Sequence, residues 1–280
     1  MNDDQRILGP AAVAAAAMPD PWADLRAHTP ARIALGRAGA SLPTAELLRF
    51  NAALAQARDA VHTALDVAAL QTALQTEGWP SALVLASRAT DRASYLRRPD
   101  LGRRLDEASA ERLRAAAADF TGPADLALVL GDGLSALALQ RHALPLLVAL
   151  RDALSAAYAT DAGGTATATA LRWAPLTIAT QTRVALADEV GAAWPARLVL
   201  VLLGERPGLS APDSLGAYLT HAPAIGCHDA MRNCVSNIRP EGLAPAQAAM
   251  RLAWLIRHAL RRRLTGVGLK DDSGTVSLTR

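Results

Sequence analysis

The chain has 280 residues, 51% of them hydrophobic and 4% aromatic, with 29 Lys and Arg against 26 Asp and Glu for a formal charge of +3. That small cationic excess excludes a protein built to grip phosphate backbones, so no nucleic-acid partner is expected. No run reaches the ~20 apolar residues of a membrane span, and two cysteines, Cys227 and Cys234, are too few for a disulfide framework.

Residues 1–18 begin with Asp3, Asp4 and Arg6, and Gly9-Pro10 interrupts the apolar run before Ala11–Ala17. A secretory signal wants a positive start and a stronger apolar stretch, so this segment is expected to be a flexible leader. A basic irregular segment follows, with Arg26, Arg32 and Arg37. Pro43-Thr44 then opens a helix, with Thr44 placed to cap it and Glu46 near its positive end. Leu47, Phe50, Leu54, Ala57, Val61 and Leu65 recur every three or four residues and make one apolar stripe fit for a partner surface.

From Trp79 the pattern changes to short apolar runs. Strands are expected at 81–87, 125–133, 176–180 and 198–203, with 183–187 pairing to 176–180 through a tight turn at Gln181-Thr182. Helices are expected at 107–118, at 134–143 and 145–158 on either side of Pro145, and at 245–264 after Pro245. The cations of 257–264 suit the negative end of that last helix. Strands alternating with helices predict an α/β fold: a Rossmann-like, mostly parallel sheet flanked by helices and preceded by an N-terminal helical arm. The expected organisation is a leader (1–18), an arm (19–78), an α/β domain (79–268) and a polar tail (269–280), with a low-complexity loop at 161–170.

The clearest strand, LVLVLL, runs into Gly204-Glu205-Arg206-Pro207-Gly208. Ligands of open α/β sheets settle just past the carboxyl ends of such strands, which makes Glu205 and Arg206 site candidates. Glu205 has a structural alternative, pairing with Arg206 or Arg239. Gly131-Asp132-Gly133-Leu134-Ser135-Ala136 satisfies G-x-G-x-x-A, but the acid wanted ~20 residues on falls at Asp152, inside a helical pattern. A free-standing dinucleotide-binding oxidoreductase is therefore the weaker functional alternative, beside a non-enzymatic scaffold that docks through the 44–65 stripe. The run 230–240, AMRNCVSNIRP, mixes polar groups with Cys234, Val235 and Ile238; cysteine in such a setting ordinarily packs as a small hydrophobe. His228 lies near Cys227, but no second pair of metal ligands stands at zinc spacing.

Seven segments in order carry a resemblance: HTPARIALGRAGASLPT (28–44), QARDAVH (56–62), SRATDRASYLRRPDLGRRL (87–105), GDGLSA (131–136), RVALADEVG (183–191), GERPGLSAPDSLGAYLT (204–220) and RNCVSNIRPEGL (232–243). Together they resemble the small (light) subunit of ethanolamine ammonia-lyase. Leu54 departs from a histidine frequent in that family, and Gln181-Thr182 departs from its usual glycine. The resemblance implies an adenosylcobalamin-dependent radical enzyme that converts ethanolamine to acetaldehyde and ammonia. It also implies a large-subunit partner, a TIM barrel holding the substrate pocket, in a hetero-oligomer. This chain would close over the cobalamin through Val184, Glu205 and Cys234. The family's location is the cytoplasm, in some bacteria inside a microcompartment.

Overall fold

The computed structural model describes residues 17–18, 20–161 and 171–274. Most of the expected leader, the 161–170 loop after Asp161 and the end of the tail lie outside them. The chain divides into two compact units, one comprising residues up to Asp59 with Gly208–Ala211, the other Ala60–Pro207 with the chain from Pro212 onward.

In the first unit, β1 (Ala17–Met18) pairs antiparallel with β2 (Arg37–Ala38), and a 3-10 turn covers Ala23–His28. Helix α1 (Thr44–His62) begins there and continues into the second unit; Thr44 is its first residue rather than the residue before it. Glu46 in its first turn takes Arg26 and Arg49 as ion-pair partners.

The second unit is a layered α/β structure. After α2 (Val67–Thr76) come β3 (Leu83–Ala86), α3 (Arg92–Arg97), α4 (Glu107–Ala118), β4 (Ala124–Gly131), α5 (Ala136–Asp161), β5 (Thr177–Thr180), α6 (Leu186–Ala193), β6 (Ala196–Gly204), β7 (Leu215–His221), β8 (Arg232–Ile238) and α7 (Pro245–Arg262). The sheet order is β3-β5-β4-β6-β7-β8; the first four strands run parallel, and β7 and β8 join antiparallel. The mostly parallel sheet flanked by helices is thus the observed architecture.

Strand periodicity builds both layers. In β6, Leu198, Leu200 and Leu202 point to the face covered by α2, α5 and α7, while Val199, Val201 and Leu203 point to the face covered by α4 and α6. With both faces covered, a central strand must be apolar at every position, which is why LVLVLL is so conspicuous.

Several expectations need correction. Pro145 does not split a helix: α5 is continuous through it, because Leu146, Leu147, Leu150 and Leu154 are buried on the sheet and hold the helix together despite one missing N–H. Residues 183–187 are not a strand. Gln181 takes φ +54°, Arg183 N–H bonds to the Gly102 carbonyl, and the chain turns directly into α6. The run 232–238 forms edge strand β8, and β7, α2 and α3 were not expected.

Candidate functional site

A cavity of about 740 Å³ opens beyond the carboxyl ends of the parallel strands and continues along the start of α6 toward the β7–β8 connection. Leu134 follows β4, Arg183 and Val184 follow β5, and Glu205 and Arg206 follow β6. Tyr95, Pro99 and Arg103 close one side, and Tyr218 of β7 with Cys227, His228 and Asp229 closes another. These are the positions at which an open α/β sheet offers a crevice.

Glu205 is fixed by its own strand pair. Its N–H donates to the Ser214 carbonyl (2.9 Å), and its Oε2 accepts from Ser214 Oγ (2.5 Å) and the Asn237 N–H (3.1 Å). Neither Arg206 nor Arg239 pairs with it; Arg239 reaches Asp213 (3.4 Å) and Glu241 (3.7 Å) instead. Oε1 accepts no hydrogen bond among the described residues. It lies 2.8 Å from where a Cβ on residue 216 would stand, so glycine at that position leaves the carboxylate its room. Asp213 anchors the same loop through Arg141 (3.0 Å) and His142 (3.2 Å) of α5. Burial opposes its charge, but the hydrogen bonds from Arg141 and His142 prevail and hold its carboxyl below the usual range.

The turn that carries Val184 is clamped from β4. Asp132 accepts the Gln181 and Thr182 N–H groups, both at 3.0 Å, with Arg92 3.7 Å away. Burial pushes the Asp132 carboxyl above its ordinary value, opposed by those two N–H groups. Tyr95 donates to the Thr182 carbonyl at 2.9 Å, and the Arg183 guanidinium lies 4.3 Å from its ring centroid. On the far side, Arg232 holds Asp188 of α6 in a two-pronged pair at 2.7 Å and also donates to the Cys227 carbonyl (2.8 Å). Burial raises the Asp188 carboxyl, with Arg232 acting against it.

The structure therefore brings Val184 and Glu205 into one cavity. Cys234 is not on its wall. It sits opposite Tyr218 in the β7–β8 pairing, and Tyr218 is on the wall. The Cys234 residue is exposed on β8, yet its thiol rests against the Tyr218 phenol, and desolvation there pushes it above the ordinary thiol value. Both cysteines are free thiols. The sequence reading missed Tyr218, Tyr95 and Arg103. Tyr218 lies on a strand that went unrecognised, while Tyr95 and Arg103 belong to the quoted 87–105 motif, where only spatial position separates them from its other residues.

The G-x-G-x-x-A segment packs closely against the end of β6. Gly131, Asp132 and Gly133 are buried, and a Cβ on Gly133 would stand 2.2 Å from the Gly204 carbonyl oxygen. Its glycines let β4 and β6 approach at their ends.

This fold and cleft define an α/β module with an open cavity past the carboxyl ends of its parallel strands. Residues 19–270 match the family model described as "Ethanolamine ammonia-lyase light chain (EutC)". The chain is 54% identical over 261 residues to the ethanolamine ammonia-lyase small subunit of Azotobacter vinelandii, covering 92% of this chain and 91% of the relative. It is 57% identical over 254 residues to that of Xanthomonas campestris (91% and 89%) and 52% identical over 259 residues to that of Pseudomonas aeruginosa (92% and 90%). The chain belongs to the ethanolamine ammonia-lyase light-chain family. No helix among the described residues is long and apolar enough to cross a membrane.

Proposed function

We propose that this chain acts as the small subunit of an adenosylcobalamin-dependent ethanolamine ammonia-lyase, pairing with a large TIM-barrel subunit in a hetero-oligomer and closing over the cofactor. The family match across 19–270 carries this reading. The cavity residues fit the group. A corrin ring bears amide side chains, and Glu205 Oε1, held at the rim with no hydrogen bond of its own, is an acceptor for such N–H groups. Val184 and Leu134 supply apolar contact, and Tyr218, whose partner across the β7–β8 pairing is Cys234, supplies a weakly polar wall.

When bound, adenosylcobalamin supplies the radical chemistry that turns ethanolamine into acetaldehyde and ammonia. This chain's residues bind and orient. The Asp132 clamp fixes the Val184 turn, Ser214 and Asn237 aim Glu205, and the Arg232–Asp188 pair fixes α6 against the β7–β8 connection. The expected location is the cytoplasm, in keeping with two unpaired thiols.

The test is reconstitution. The chain mixed with its cognate large subunit, adenosylcobalamin and ethanolamine should form acetaldehyde, and activity no greater than that of the large subunit alone would refute the reading. Glu205→Gln in the assembled protein should weaken cobalamin binding about tenfold, as loss of a charge-assisted acceptor implies, with the melting temperature of the chain unchanged.

A further inference from the structure

A second cavity, of about 280 Å³, is built entirely within the second unit. Its wall comes from the chain just before β3 (Trp79 and Pro80) and just before β5 (Trp173 and Leu176), with Leu128 of β4 and Arg151 of α5. It therefore lies toward the amino-terminal ends of the parallel strands, whereas Val184 and Glu205 follow their carboxyl ends. The two cavities share no residue.

Trp79 and Trp173 meet edge to face, with ring centroids 5.8 Å apart at 80°, and form a corner of this cavity. Both are placed by the backbone: the Trp79 N–H donates to the Leu74 carbonyl (3.0 Å) at the end of α2, and Trp173 bridges to Leu126 of β4. Phe120 and Trp194 have nearly the same geometry (5.6 Å, 77°), but there Trp194 is buried in the core. Trp79 and Trp173 are only partly buried and leave aromatic surface on an open space. The Trp79 indole N–H is itself buried and meets no acceptor among the described residues, so the fold leaves that donor unused.

Arg151 supplies the one charge on this wall. Its guanidinium stands 5.8 Å from the Trp79 ring centroid, and Nη1 donates to the Glu77 carbonyl (3.0 Å). That bond holds the side chain over the corner, while Nε and Nη2 make no hydrogen bond and no carboxylate pairs with them among the described residues. The Nε–Nη2 edge presents two parallel N–H groups, the arrangement that a carboxylate accepts bidentately.

We propose that this pocket binds a planar aromatic monocarboxylate, its ring against the indoles and its carboxylate on the Nε–Nη2 edge of Arg151. The ligand class follows from the wall. Two indoles with Pro80, Leu128 and Leu176 favour a flat apolar body, and a single guanidinium matches a single anion. The volume stands at the small end of the range for small-molecule pockets, about 300–1,000 Å³, and suits one ring or a fused pair.

The experiment titrates the full chain by calorimetry with 2-naphthoate and with its neutral analogue 2-naphthamide. Naphthoate should saturate a single site with a Kd below about 1 mM, and naphthamide should bind about tenfold more weakly. Arg151→Gln, at a partly exposed helix position, should bring naphthoate down to the affinity of the amide. Trp173→Phe, which keeps an aromatic ring but a smaller one, should weaken both ligands alike. Absence of saturable naphthoate binding, equal affinity of the parent for acid and amide, or an Arg151→Gln variant that still prefers the acid would overturn the proposal.

Discussion

From Ala60 onward most leucines and valines are buried in the two faces of the sheet, whereas before Asp59 Trp22, Leu48 and Leu54 each keep more than half of their surface in water, at 66%, 62% and 51%. Nine of the large apolar residues exposed among the described ones lie at or before Leu54, against four later: Ile225, Met231, Met250 and Val267. The apolar stripe expected on α1 is therefore real in spacing but uncovered along Leu47, Phe50 and Leu54, with burial only at Ala53, Ala57 and Ala60. A region that leaves this much apolar surface in water ordinarily meets another surface. The contrast teaches that stripe and burial are separate properties: periodicity assigns the helix, and the neighbours decide whether the stripe is core. It accords with the proposed hetero-oligomer.

The contrast can be broken most sharply in the sheet. Leu202→Ala should cost about 3 kcal/mol or more in denaturant unfolding of the isolated chain, because its site is fully enclosed and cannot collapse. The next test concerns pH. Asp213 has a folded-state value below its unfolded one, so its contribution is present above the usual carboxylate range and lost as pH falls through the lowered value. Asp213→Asn should flatten the acid limb of a melting-temperature-against-pH curve, and an unchanged slope would show that Arg141 and His142 do not hold it. A smaller gain is expected at Gln181, whose φ of +54° is a conformation glycine adopts freely; Gln181→Gly should stabilise by about 0.5–1 kcal/mol by calorimetry. At the exposed face of α1, Leu47→Ala and Leu54→Ala should stay within about 0.5 kcal/mol of the parent in the isolated chain. A loss approaching that at Leu202 would erase the distinction between the two regions.

How much of this was legible depends on which interaction decides each segment. β4 and β6 announce themselves because strands covered on both faces must be apolar throughout. β8 hides because it is an edge strand, in which Arg232, Val235 and Ile238 are buried and Cys234, Ser236 and Asn237 are exposed, a pattern without strict alternation. The apolar alternation of RVALA suggests a strand, but the bonds from Thr182 and Arg183 to Asp132 and Gly102 lie far away in sequence and turn the chain into α6. The same holds for the site. Glu205 follows from the end of an unmistakable strand. Val184 and Cys234 came from the family resemblance alone.

The central claim is that this cavity is one wall of a corrinoid site, with the other wall supplied by a separate polypeptide. A structure of the assembled two-subunit protein with cobalamin bound tests it directly. The ring should lie in contact with Val184 and Glu205, on the side of the cavity that Tyr218 closes with Cys227, His228 and Asp229. Cobalamin bound away from the ends of β5 and β6 would contradict the account.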